Sequence, residues 1–215
     1  MQSDKEMIMM KRYTYSTNRL EELYGLPKDF LRSDVVIVDN EIQNDISENW
    51  NYMEAKICVT GILFQNKIEI IVAEEEDDTE FKEFVKKRLK DLSSHKMFAF
   101  NKYMEIGNFK GDLKIDVEID EIKPFNGKGW NKDRFFKVLQ DKSIVPKFNV
   151  QDPFKGDACL CIEKWDYYLT YNDDQYLKQI ILHNMNCLIK ETMILKNKDY
   201  FKRNYSVNDR NWIIE

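Results

Sequence analysis

Asp39-Asn40-Glu41 follows directly on the β-branched run Val35-Val36-Ile37-Val38. An uninterrupted run of that kind suits a central strand buried on both faces. Alternate strand residues project from one face, so Asp39 and Glu41 are expected side by side at the strand end. Two carboxylates placed there repel one another unless a cation neutralises them. Oxygen donors suit magnesium or manganese, the hard ions of phosphoryl-transfer chemistry. The competing reading is that the D-x-E opens a polar loop, because Asn44, Asp45 and Glu48 follow. Late in the chain, His183 and Cys187 stand one helical turn apart and so share a face. A helical histidine in an apolar stretch is otherwise a buried, hydrogen-bonded residue, and a catalytic role depends on geometry.

These residues need elements to hold them. The first 30 or so residues read as irregular, with a short helix at Arg19–Tyr24 stopped by Gly25 and Pro27. Residues 55–64 and 68–73 read as two strands joined at Gln65-Asn66-Lys67, the pattern of a hairpin. Asp78 or Thr79 can cap a helix carrying the stripe Phe81, Phe84, Val85, Leu89 and Leu92. Lys96–Phe100 reads as a short buried strand, followed by a helix over about Tyr103–Lys110 and a strand-like alternation at Lys114–Ile119. After the break at Gly127-Lys128-Gly129 the chain is helical: Lys132–Leu139, Phe154–Leu169 and Asp174–Leu195. The stripe Phe154, Ala158, Cys161, Ile162, Trp165 and Leu169 is read as core packing. The sum is one α/β domain with a mixed sheet, its antiparallel strands first and most helices late.

That order, with its motifs, resembles the RNase H-like 3′–5′ exonuclease superfamily, the DEDD nucleases, and in particular its YprB-like branch. Asp39 and Glu41 match the family's D-x-E on the first strand. Asn101 with Glu105 resembles its Asn followed four or five residues later by an acid. His183-Asn184 resembles the start of its helical H-N-x-x-D. The stretch Gly156-Asp157-Ala158 through Trp165-Asp166-Tyr167-Tyr168 resembles the lead-in to that helix. The resemblance spans roughly residues 33–197. It implies an RNase H-like mixed sheet with antiparallel first strands and flanking helices. It also implies a two-ion magnesium or manganese site on Asp39, Glu41 and Glu105, with Asp39 bridging. His183 would orient or deprotonate the attacking water, and Asn101 and Asn184 would face single-stranded nucleic acid. Two departures stand out. Glu105 replaces the usual Asp, and Cys187 stands where the last acid belongs, although Glu191 follows four residues later. A thiol is a poor ligand for a hard ion. The expected function is therefore stepwise phosphodiester hydrolysis, with a catalytically inactive nucleic-acid- or protein-binding relative as the alternative. An unrelated α/β protein with surface acids is the third reading.

The 215-residue chain is expected to be a single domain, with a 1–32 extension, a 33–197 core and a 198–215 tail. Charged residues make up 33% and hydrophobic types 43%, with seven Gly and four Pro. This excludes collagen-like, disordered and disulfide-scaffold classes. A net charge of −5 argues against a general nucleic-acid-coating or membrane-surface protein, but allows a local basic groove. Lys123, Lys128 and Lys132, near Phe125 and Trp130, are the candidate strand-binding loop, with a solvated charged loop as its plainer reading. Cys58, Cys159, Cys161 and Cys187 form no C-x-x-C pair and only two histidines are present, so spacing does not predict a structural zinc site. Reduced thiols in a cytoplasmic protein are expected. No apolar run approaches the length of a membrane span.

Overall fold

The computed structural model describes residues 12–16, 22, 31–47, 49–125, 130–141 and 152–205. Six strands form one mixed sheet: β1 (Arg12–Tyr15), β2 (Val35–Ile42), β3 (Ile57–Phe64), β4 (Lys67–Val72), β5 (Lys96–Ala99) and β6 (Asp120–Glu121). Their spatial order is β1-β4-β3-β2-β5-β6. The pairs β2–β3, β3–β4 and β1–β4 are antiparallel, whereas β5 and β6 join in parallel on the far side of β2. This is an α/β fold with an RNase H-like layout.

Local chemistry explains the elements. β-Branched and aliphatic residues fill β2 to β4, whose interior positions are buried on both faces. The β3–β4 hairpin turns on Gln65 and Asn66, both with left-handed φ (48° and 60°), as a two-residue turn matched to strand twist requires. Helix α1 (Thr79–Asp91) is capped by Asp78, whose carboxylate accepts from the Phe81 amide at 3.0 Å. It lays Phe81, Val85 and Leu89 on the sheet. Helix α2 (Lys102–Asn108) runs into a π-helical turn at Phe109–Leu113, and α3 (Lys132–Asp141), α4 (Cys159–Tyr171), α5 (Asp174–Lys196) and α6 (Lys198–Asn204) follow. From Leu188 to Ile194 every residue of α5 is buried. A helix buried all round lies inside a core rather than on it. No helix among the described residues is long and apolar enough to cross a membrane.

Four sequence expectations change. Residues 12–15 are an edge strand on β4, not irregular chain. Asp39-Asn40-Glu41 lies inside β2 and is buried, so it does not open a polar loop. The alternation at Lys114–Ile119 finds no strand partner among the described residues, and pairing begins at Asp120. Helix α4 starts at Cys159 rather than Phe154, because Gly156 has φ +83° and Asp157 accepts from the Cys159 amide at 3.1 Å. Apart from Glu22, the helix expected at Arg19–Tyr24 lies outside the described residues, as does the tail beyond Tyr205.

Candidate functional site

β2 carries the D-x-E pair into the middle of the sheet, where Asp39 is 3% and Glu41 5% exposed. Two carboxylates there need partners, and α5 supplies one of them. The Asn184 side-chain amide on α5 donates to the Asp39 carbonyl and Oδ2, each at 3.0 Å, and to Glu41 Oε1 at 3.1 Å. One amide thus holds both acids. Its approach is permitted by Gly61 on β3, which pairs with Asp39 across the ladder. A Cβ there would lie 1.9 Å from Asn184 Oδ1. The other oxygens are also held. Lys132 Nζ on α3 sits 2.6 Å from Asp39 Oδ1, and the Cys161 thiol on α4 donates to Glu41 Oε2 at 3.1 Å.

Lys132 also lies 2.9 Å from Glu191 Oε1, so its ammonium is clamped between two carboxylates. Glu191 is fully buried. Glu105 approaches from the opposite edge. The parallel ladder pairs Val35–Ile37 with Lys96–Phe98, so the C-terminal half of β2 has no strand neighbour there. α2 fills that edge, and Glu105 Oε2 accepts from the Asn40 side-chain amide. Asn40 is itself fixed by the Thr60 hydroxyl, which donates to its Oδ1 at 2.8 Å. Four buried carboxyls therefore share one core, and two of them, Asp39 and Glu191, clamp the ammonium.

Their electrostatics follow. Burial pushes the Glu105 carboxyl well above the usual glutamate range, and the charges of Asp39 and Glu191 add to it. Burial likewise raises Glu191 well above that range, against the pull of Lys132. Burial raises Glu41 too, opposed by His183 and reinforced by Asp39. Burial works against the Lys132 ammonium, but Asp39 and its neighbours outweigh it and hold the charge firmly. With His183 protonated, four carboxyls against one ammonium and one imidazolium leave two negative charges. Two protons or one divalent cation would balance them.

A second group adjoins the first. His183 Nδ1 lies 2.7 Å from Asp152 Oδ1, and its Nε2 faces Cys187 Sγ at 3.6 Å and Glu41 Oε1 at 3.9 Å. Burial disfavours the charged ring, but Cys187, Glu41 and the Asp152 hydrogen bond outweigh it and raise the pKa to about 11. Burial also raises the Cys187 thiol, against the pull of Lys132 and His183. A charged ring cannot take a proton from water, so orienting and donating are the roles left to it in that state. Lys190 completes the group at 2.7 Å from Asp152 Oδ2, and it also pairs with Asp133.

The geometry joins Asp39, Glu41 and Asn184 directly and sets His183 3.9 Å from Glu41, whereas Glu105 meets Asn40 and forms no three-ligand group with Asp39 and Glu41 among the described residues. Asn184 is fully buried and organises the acids from within; it presents nothing to a nucleic-acid strand. Asn101 stands at the N-cap of α2 and makes no side-chain capping bond. Lys128 lies outside the described residues. Of the expected strand-binding loop, residues 126–129 lie outside the described residues. Lys132 points inward to Asp39, Lys123 lies over the Phe100 ring, and Trp130 stacks on Phe135 within an aromatic cluster. Sequence reasoning missed Asn40, Thr60, Asp152 and Lys190, and it assigned Lys132 and Cys161 to other tasks. A polar residue inside a buried periodic stretch was the available signal for Asn40 and Lys190. A cavity of about 860 Å³ opens elsewhere, lined by Lys86, Lys90, His95, Lys96 and Asp120, and no site residue lines it. No known family model, curated protein or solved structure matches the chain.

Proposed function

We propose that the chain is a metal-dependent phosphodiester hydrolase of the RNase H-like exonuclease type, acting on single-stranded nucleic acid. One observation carries the reading: Asp39 and Glu191 clamp the Lys132 ammonium at the central strand of the sheet, in the core that also buries Glu41 and Glu105. The ammonium marks a cation's seat, 2.6 Å and 2.9 Å from two carboxylates. The oxygen donors of Asp39 and Glu191 are of the kind that holds a magnesium or manganese ion there. Beyond Glu41 the donors turn to imidazole and thiol, which do not fit a second hard ion. When bound, a hard ion supplies an activated water and neutralises phosphoryl charge. Asn184 keeps the D-x-E pair in register, and Asn40 with Thr60 aims Glu105. Lys132, the cluster member with the most exposed side chain at 21%, provides a positive charge for the phosphate's own oxygens.

Titrating magnesium or manganese against end-labelled single strands tests this, with the native chain compared to Asp39→Asn. Metal-dependent shortening from the 3′ end is expected, reduced by about a hundredfold or more in the variant. A second reading, a non-hydrolytic nucleic-acid-binding relative, is favoured by Cys187 and by the protein donors already on all four D-x-E oxygens. Strand binding without cleavage at high protein concentration would establish it instead.

A further inference from the structure

The donors beyond Glu41 are wrong for magnesium but form a coherent set of their own. Glu41, His183 and Cys187 are all buried, and each offers a ligand atom within 4.8 Å of the other two. The histidine and cysteine come from one face of α5 at i and i+4, and the glutamate comes from β2. Two rigid elements thus position three different ligand types. Cys161 Sγ on α4 lies 3.1 Å from the other oxygen of that glutamate, Oε2, and stays outside the three-ligand group.

We propose that Glu41, His183 and Cys187 bind a zinc-class transition-metal ion, with the fourth position left to water. Zinc–nitrogen and zinc–sulfur bonds of about 2.0–2.3 Å, arranged tetrahedrally, place neighbouring ligand atoms about 3.3–3.8 Å apart. The present separations of 3.6 Å and 3.9 Å need only small side-chain adjustments to reach that range. Asp152 supplies the supporting contact such sites use. Its carboxylate holds His183 Nδ1 at 2.7 Å and so turns Nε2 inward. Lys190 in turn fixes Asp152 at 2.7 Å. A mixed thiolate, imidazole and carboxylate set selects a borderline-soft ion over a hard one. Binding displaces the Nε2 and thiol protons into solvent, two protons for one divalent ion when both leave.

The site does not depend on phosphodiester hydrolysis. Zinc content is measured without nucleic acid, so either proposal can fail while the other stands. The untagged full chain, expressed with added zinc and dialysed against magnesium buffer, is expected to retain about one zinc per chain. Cobalt reconstitution should give a near-ultraviolet sulfur-to-cobalt charge-transfer band. That band should vanish in Cys187→Ser and persist in Cys159→Ser, whose thiol is exposed. Asp152→Asn should weaken zinc binding by about 10–100-fold while leaving the thiolate band, the mark of a residue that positions a ligand. Should Cys187→Ser fail to fold, loss of the band on adding a chelator to the native chain makes the same test. A native chain that retains no zinc, or a cobalt form with no thiolate band, overturns the proposal.

Discussion

Lys132 is the residue on which the acidic centre depends. Removing one partner of a buried ion pair leaves the other charge without compensation, which costs about 3–5 kcal/mol. Lys132→Ala would strand Asp39 and Glu191 together and should lower unfolding stability by about that amount in chelator. If the ammonium occupies a cation's seat, millimolar magnesium or manganese should restore much of the loss. The thermal shift on adding metal should therefore be larger for the variant than for the native chain. Equal shifts would mean that the two cations do not share a place. Lys132 also shows why the site was only half legible. Asp39 and Glu41 announce themselves as acids attached to a buried run, but Lys132 is 93 residues from Asp39 in sequence. Its charge alone suggests surface, and no local pattern reveals a partner so far away.

At the scale of elements, α5 is the part that makes the site possible. It lies against β2 and β3, and it carries Asn184, His183, Cys187, Lys190 and Glu191 into the core. Gly61 sets how close it can come, because Leu188 Cδ1 as well as Asn184 Oδ1 occupies the space of a side chain there. Gly61→Ala should cost about 1–3 kcal/mol through overpacking and push the Asn184 amide off the D-x-E pair. A double-mutant cycle with Asn184→Ala should show coupling, since shortening the amide removes most of the clash. Additive costs in chemical denaturation would place the strain elsewhere. The long helices and the hairpin were legible because their apolar periods are internal to each element. β1 was not, since four residues on a sheet edge carry little period and pairing with β4 decides them. The alternation at Lys114–Ile119 failed for the converse reason: it has the period of a strand but, among the described residues, no strand beside it.

For the molecule as a whole, folding and proton uptake are coupled through this core. Burial raises Glu41, Glu105 and Glu191, so the folded state holds more protons than the unfolded chain above the usual glutamate value of 4.5. Their contribution to stability accordingly falls as pH rises from that value. Asp152 has the opposite sign. Burial disfavours its charge, but His183 and Lys190 outweigh it and hold the carboxyl below the usual 3.8, so its contribution fades only as pH drops further. The metal-free chain is therefore expected to be most stable on the mildly acidic side and to lose stability toward alkaline pH. Glu105→Gln keeps an acceptor for Asn40 and removes one titrating group. Its stability should decline less with rising pH and exceed the native chain's above neutrality, as measured by denaturant unfolding in chelator. Saturating divalent metal should flatten the native curve in the same way, because a cation then balances the carboxyls that protons balanced before. A native slope that neither Glu105→Gln nor metal alters would show that the acidic centre does not exchange protons for cations.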